Sequence, residues 1–235
     1  MAPTVILIRH AEALHNYELP DPALTDLGFG EQCNELARHL QSELPLAQQI
    51  ELIVVSPMKR TLQTAQQALG WLMERGVPVI LRAEWQENSA KPCDTGTAIS
   101  IMEKEWPQFD WSSVDPAYPA KTGIYEYTGH GLTKRGIVAR EWLRERPEKV
   151  IVVVSHSGFL RVGVSNKKYE NADYRIFDFA EGFEETGGKL IEWELTELKG
   201  GGLGKSPKGF FEMAPGDYPE EVESDVGEVV CENPS

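Results

Sequence analysis

The sequence predicts an α/β fold: a three-layer α/β/α sandwich with a mostly parallel central sheet and a small loop-rich insertion over the active site. Three observations lead there. The apolar, largely β-branched runs at 4–8, Leu52–Val55 and 150–154 have the pattern of strands buried on both faces. Segments with helical spacing alternate with them. The connections between the two kinds of segment are short, as a parallel sheet with crossover helices requires.

The elements follow in order. Strand 4–8 comes first. Past Pro20 and Pro22, Thr25 can cap a helix on which Cys33, Leu36, Ala37, Leu40 and Leu44 share one face. After the second strand, Ser56-Pro57 reads as N-cap and first helical position, followed by the stripe Met58, Leu62, Ala65, Leu69 and Leu72. Gly76 is the natural stop of that helix. Residues 77–81 form a third strand and 97–106 a helix. The stretch 107–131 is rich in Pro, Tyr, Gly and Trp without a period, and reads as loop. A helix over 132–146 stops before Pro147, and the strongest buried strand follows. The alternating stretches 174–179 and 190–195 read as late strands paired around 181–188.

One domain spans residues 1–198, with the insertion at about 88–131 forming the pocket wall. Residues 199–235 read as a Gly-rich linker and an acidic tail. Gly204-Lys205-Ser206 imitates the end of a phosphate-binding loop, but Lys199 stands where its first glycine belongs, and Pro207 prevents a following helix. The six tryptophans are scattered, which suits core or pocket lining better than a base-stacking platform.

The net charge of −14 excludes a general affinity for nucleic acid or an anionic membrane. Half of it comes from seven acidic residues between Asp217 and Glu232, so the remainder can coexist with a cationic pocket. Cys33, Cys93 and Cys231 form neither a disulfide framework nor a zinc motif, which suits a reducing, cytoplasmic location. No cofactor and no metal are expected, and no oligomeric state is read from the pattern.

In parallel sheets, ligands bind beyond the carboxyl ends of the strands. Here the first strand ends in Arg9-His10, the second leads through Ser56 to Lys59-Arg60, and the 150–154 strand ends in Ser155-His156-Ser157-Gly158. Arg60 falls in the first turn of a helix, where the macrodipole disfavours cations unless an anion is bound there. Lys59 reads as a solvated charge, as does His39. His15 reads as a surface loop residue, and His130 has no role.

Those residues carry a resemblance. Arg9-His10-Ala11-Glu12 with Asn16 resembles the Arg-His-Gly signature of the histidine phosphatase superfamily, the phosphoglycerate mutase-like proteins. Leu24-Thr25-Asp26-Leu27-Gly28 with Gln32, the block from Ser56 to Ala65, and the block from Val152 to Gly158 are similar to its later landmarks. Cys93-Asp94-Thr95-Gly96 resembles a small fungal-type phosphatase branch. Ala11 departs from the glycine of the signature.

The resemblance implies a metal-independent phosphatase acting on a small phosphorylated metabolite. His10 would be the nucleophile and become phosphohistidine. Arg9, Arg60 and His156 would stabilise the phosphoryl charge. Asn16 and Ser157, with Asp94 and Thr95, would contact substrate. Glu87, just past the third strand, would be general acid and base, with Asp94 as competitor and Glu84 read as a surface charge. Trp106, Trp111, Tyr118, Tyr125 and Tyr127 could line an amphipathic pocket. A phosphomutase of the same superfamily and a catalytically silent scaffold are the alternatives. The mutase needs a basic cluster that is not found between Glu87 and Arg135.

Overall fold

Six short apolar stretches pair into one sheet in the order β3-β2-β4-β1-β5-β6 in a computed structural model that describes residues 2–14, 19–182, 187–214 and 218–219. The strands are β1 (Thr4–Arg9), β2 (Leu52–Val55), β3 (Val79–Leu81), β4 (Val150–Ser155), β5 (Tyr174–Phe179) and β6 (Leu190–Glu192). The first four are mutually parallel, whereas β5 runs antiparallel to both β1 and β6. The helices are α1 (Cys33–Ser42), α2 (Lys59–Glu74), α3 (Ile99–Glu105), α4 (Gly129–Arg144), α5 (Ser157–Phe159) and α6 (Glu194–Glu197).

Alternation along the strands sorts the core into two layers. Ile6, Ile8, Ile53, Val55, Val152 and Val154 face Leu36 and Leu40 of α1 and Leu62, Leu69 and Leu72 of α2. Val5, Leu7, Val54, Ile151 and Val153 face Leu143 of α4 together with Phe159 and Leu160. The expected three-layer sandwich is the observed one. Each fully buried aliphatic side chain contributes roughly 1.5–3 kcal/mol, so truncating Leu62 to Ala would cost about 2–5 kcal/mol. Among the described residues no helix is long and apolar enough to cross a membrane.

Register decides where the chemistry gathers. Arg9 pairs with Ser155, and Val55 pairs with both Val154 and Leu81. The carboxyl ends of β1, β4, β2 and β3 therefore lie side by side, and the residues that follow them share one sheet edge.

Several expectations are corrected. The α2 helix starts at Lys59 and not at Pro57, because the Ser56 hydroxyl bonds His156 instead of capping it. The last strand stops at Glu192, whose carboxylate is taken by Arg175 and by the Thr196 hydroxyl as α6 begins. His39 is not solvated; Nε2 meets the Tyr174 hydroxyl at 2.9 Å and Nδ1 lies 3.2 Å from Glu43. Glu84 is buried and forms a two-point ion pair with Arg82.

The Gly-rich stretch is not a flexible linker. Buried Asp173 accepts from the backbone N–H of Leu203, Lys205 and Ser206 and from the Ser206 hydroxyl, so the loop wraps around one carboxylate. Gly201 has φ +82°, and a Cβ there would collide with that carboxylate. The acidic tail beyond residue 219 lies outside the described residues.

Candidate active site

His10 follows β1 and is 6% exposed. Its Nδ1 lies 2.6 Å from the Ala11 carbonyl oxygen, which can only accept, so Nδ1 carries the hydrogen. Its Nε2 accepts from Arg60 Nε at 3.2 Å. Arg60 can only donate, so Nε2 presents its lone pair and the ring is neutral. The backbone behind the ring is pinned. Thr64 accepts from Ala11 N, while Ala172 N and Asn171 Nδ2 both donate to the His10 carbonyl. The Ala11 methyl, absent from the glycine signature, is fully buried in the core.

Arg60 sits in the first turn of α2, 4% exposed. Nη1 donates to the Cys93 carbonyl at 2.8 Å, and Nη2 lies 3.6 Å from Asp94 Oδ1. What tolerates a cation at this helix terminus is Asp21, which sequence reasoning missed. Its buried carboxylate accepts from Lys59 N (3.1 Å) and Thr97 N (3.0 Å), so the α2 amide expected to face an anion is already occupied. Burial pushes the Asp21 carboxyl up, and these hydrogen bonds oppose that shift. Lys59 is half-buried and pairs with Glu105 at 3.1 Å, so it is not the solvated charge expected.

His156 follows β4 and is fully buried. Nε2 meets the Ser56 hydroxyl at 2.8 Å, and the ring centroid is 5.1 Å from that of His10. Burial holds its pKa well below the usual histidine value, and the nearby charges of Arg60, Lys121 and Arg135 and the His10 ring act in the same direction. Among the described residues its buried Nδ1 has no hydrogen-bond partner, and neither has Arg9 Nε. Arg9 is anchored by Nη1 donating to the Tyr169 carbonyl at 2.9 Å; burial lowers its pKa, with Glu170 and Glu87 partly offsetting that. Both atoms are buried, and His156 is not among the residues that line the cavity beside His10.

Glu87 is held by three backbone amides. Oε1 accepts from Asn88 N and Phe159 N, each at 3.0 Å, and Oε2 accepts from Gly158 N at 3.2 Å. A Cβ on Gly158 would stand 2.5 Å from Glu87 Oε1, so a larger residue there displaces the carboxylate. Asp94 is committed elsewhere, with Oδ2 accepting from Ser89 Oγ at 2.6 Å and Oδ1 facing Arg60.

One cavity gathers Arg9, His10, Arg60, Glu87, Asp94 and Ser157. Its volume of about 90 Å³ is small beside the roughly 300–1,000 Å³ of pockets that engulf a drug-sized ligand. It suits a phosphoryl-sized group with the remainder of a ligand outside. Thr95 does not line it; its hydroxyl donates to the Lys91 carbonyl. Asn16, like His15, lies outside the described residues. The insertion aromatics do not line it either. Trp111, Tyr118 and Tyr125 are buried in the core, and the Tyr118 hydroxyl is spent on the Pro57 carbonyl. Among the described residues no group of three or more His, Cys, Asp or Glu side chains is placed to hold a metal ion.

The family profile "Histidine phosphatase superfamily (branch 1)" matches residues 5–180. A protein of Schizosaccharomyces pombe named as a probable phosphatase is 30% identical over 179 residues, covering 72% of this chain and 81% of its own. Phosphoglycerate mutase-like protein 1 of Arabidopsis thaliana is 31% identical over 197 residues, covering 67% and 69% respectively. The solved structure of YhfR from Bacillus stearothermophilus superposes with a TM-score of 0.53 at 16% identity, over 81% of this chain and 95% of that one.

Proposed function

The chain belongs to the histidine phosphatase superfamily, branch 1, and from that premise we propose that it is a phosphoric monoester hydrolase working on a small phosphorylated metabolite through a phosphohistidine at His10. The observation that carries this is the orientation of the His10 ring. Nδ1–H is anchored on a carbonyl, and the Nε2 lone pair faces the Arg60 guanidinium at the floor of the cavity.

In the first step His10 Nε2 attacks phosphorus as the ester P–O bond breaks, and Glu87 in its acid form gives its proton to the departing oxygen and is left as the carboxylate. In the second, the Glu87 carboxylate takes a proton from water, whose oxygen attacks the phosphohistidine and frees His10. Charge on the phosphoryl oxygens is met by Arg9 and Arg60, and the neutral His156 ring adds a hydrogen bond. Asn16 and Ser157 add hydrogen bonds. Asp94 orients Arg60, which favours Glu87 as the proton donor. These fixed cations supply the charge stabilisation that phosphoryl transfer otherwise draws from a metal, so turnover is metal-independent.

The test is a phosphate-release screen over phosphorylated metabolites in EDTA, comparing wild type with His10→Ala. Release by the wild type alone supports the reading. Turnover that requires added Mg²⁺, or equal turnover by both proteins, contradicts it.

A further inference from the structure

Two cations grip the short segment that carries Glu87, and neither arises from a motif of the site. Lys121, from the insertion, donates from Nζ to the Glu87 backbone carbonyl at 2.6 Å. Arg135, from α4, is 0% exposed and donates from Nη2 to Asn88 Oδ1 at 2.8 Å. Among the described residues its Nε and Nη1 have no hydrogen-bond partner, and its guanidinium lies 4.1 Å from the Phe159 ring centroid. Among the described residues neither cation forms an ion pair within contact distance.

Two largely buried cations side by side are costly, and they persist only where something else compensates them. The charges facing Lys121 are those of Arg135 and Arg60, which repel it, and of Glu87 and Asp94, which attract it. Glu87 is also the first of the attractive charges around Arg135. Glu87 is thus an attractive charge common to both cations. Burial, with Arg135 next, brings the Lys121 amine down to about 7, so its charge is weakly held at neutral pH.

We propose that Lys121 is a positioning residue for Glu87: its hydrogen bond to the Glu87 carbonyl fixes the peptide bearing the proton-transferring carboxylate. This rests on Glu87 being the general acid. A lysine that acts through the acid matters when the leaving group needs a proton and matters little when it departs as a stable anion. It also has nothing left to do once the carboxylate is gone.

The experiment measures kcat/KM, which reports phosphoryl transfer and leaving-group departure, on phenyl phosphate and on 4-nitrophenyl phosphate. The proteins are wild type, Lys121→Met, Lys121→Arg, Glu87→Gln and the Lys121→Met/Glu87→Gln double variant. Lys121→Met is expected to lose on the order of tenfold or more on phenyl phosphate, within the range of general acid catalysis, and little on 4-nitrophenyl phosphate. That retained activity also shows the variant is folded. Lys121→Arg, which keeps a donor and the charge, loses less. The double variant matches Glu87→Gln, because the effects are not additive. Equal losses on both substrates in both lysine variants, wild-type rates in Lys121→Met, or additive losses in the double variant overturn the proposal. If Glu87→Gln itself fails to discriminate between the two substrates, the general acid reading fails first.

Discussion

Arg60 Nε stands 3.2 Å from His10 Nε2, a permanent donor facing the lone pair of a buried imidazole. The same guanidinium reaches the Cys93 carbonyl and Asp94 from its other nitrogens. A lysine ammonium is a point charge and cannot span three partners in fixed directions. Arg60→Lys should therefore lower kcat/KM by about 10²–10³, the scale of losing one preorganised donor to a developing oxyanion. Steady-state kinetics on 4-nitrophenyl phosphate checks this, and a loss under threefold would mean charge alone suffices.

Gly158→Ala probes the acid without touching it chemically. The added methyl would lie 2.5 Å from Glu87 Oε1, so the carboxylate must shift off its amide donors. Activity on phenyl phosphate should fall more than activity on 4-nitrophenyl phosphate. The melting temperature should drop by only a few degrees.

His156 makes stability depend on pH in a definite direction. Its folded pKa lies well below the ordinary 6.5, so the unfolded chain takes up the proton first. Stability attributable to this residue is complete above pH 6.5 and is lost as pH falls below that value toward the depressed folded pKa, at up to about 1.4 kcal/mol per pH unit. Denaturant midpoints between pH 7 and 5 should fall less steeply in His156→Gln than in wild type. Parallel slopes would remove the buried neutral imidazole from the explanation.

Asp173→Asn should loosen the loop that wraps around it. The carboxylate serves the amides of Leu203, Lys205 and Ser206, and an amide side chain would turn one acceptor into a donor against them. A stability loss of about 1–3 kcal/mol is expected, with faster amide exchange at those three residues. The catalytic constant should change little, because none of these groups lines the cavity.

How much was legible follows from where each partner lies in the sequence. β1, β2 and β4 announce themselves because both faces of these strands are buried, and Arg9, His10, Arg60 and His156 come together because parallel register aligns the strand ends. The start of α2 was misplaced because the Ser56 hydroxyl serves a histidine far along the chain. Asp173 makes an ordered loop of what reads locally as a linker. The insertion aromatics read equally well as pocket or as core, and only packing distinguishes the two. Asp21, Lys121 and Arg135 act through tertiary contacts that no local pattern encodes.

The most direct measurement is a rapid-quench search for the phosphoenzyme during turnover of a labelled phosphomonoester in EDTA. A phosphoryl group on His10, acid-labile and stable in alkali, that forms and decays fast enough to carry turnover and is missing from His10→Ala is the predicted result. Phosphate release at the wild-type rate from His10→Ala, or label on any other residue with His10 unmodified, would contradict it.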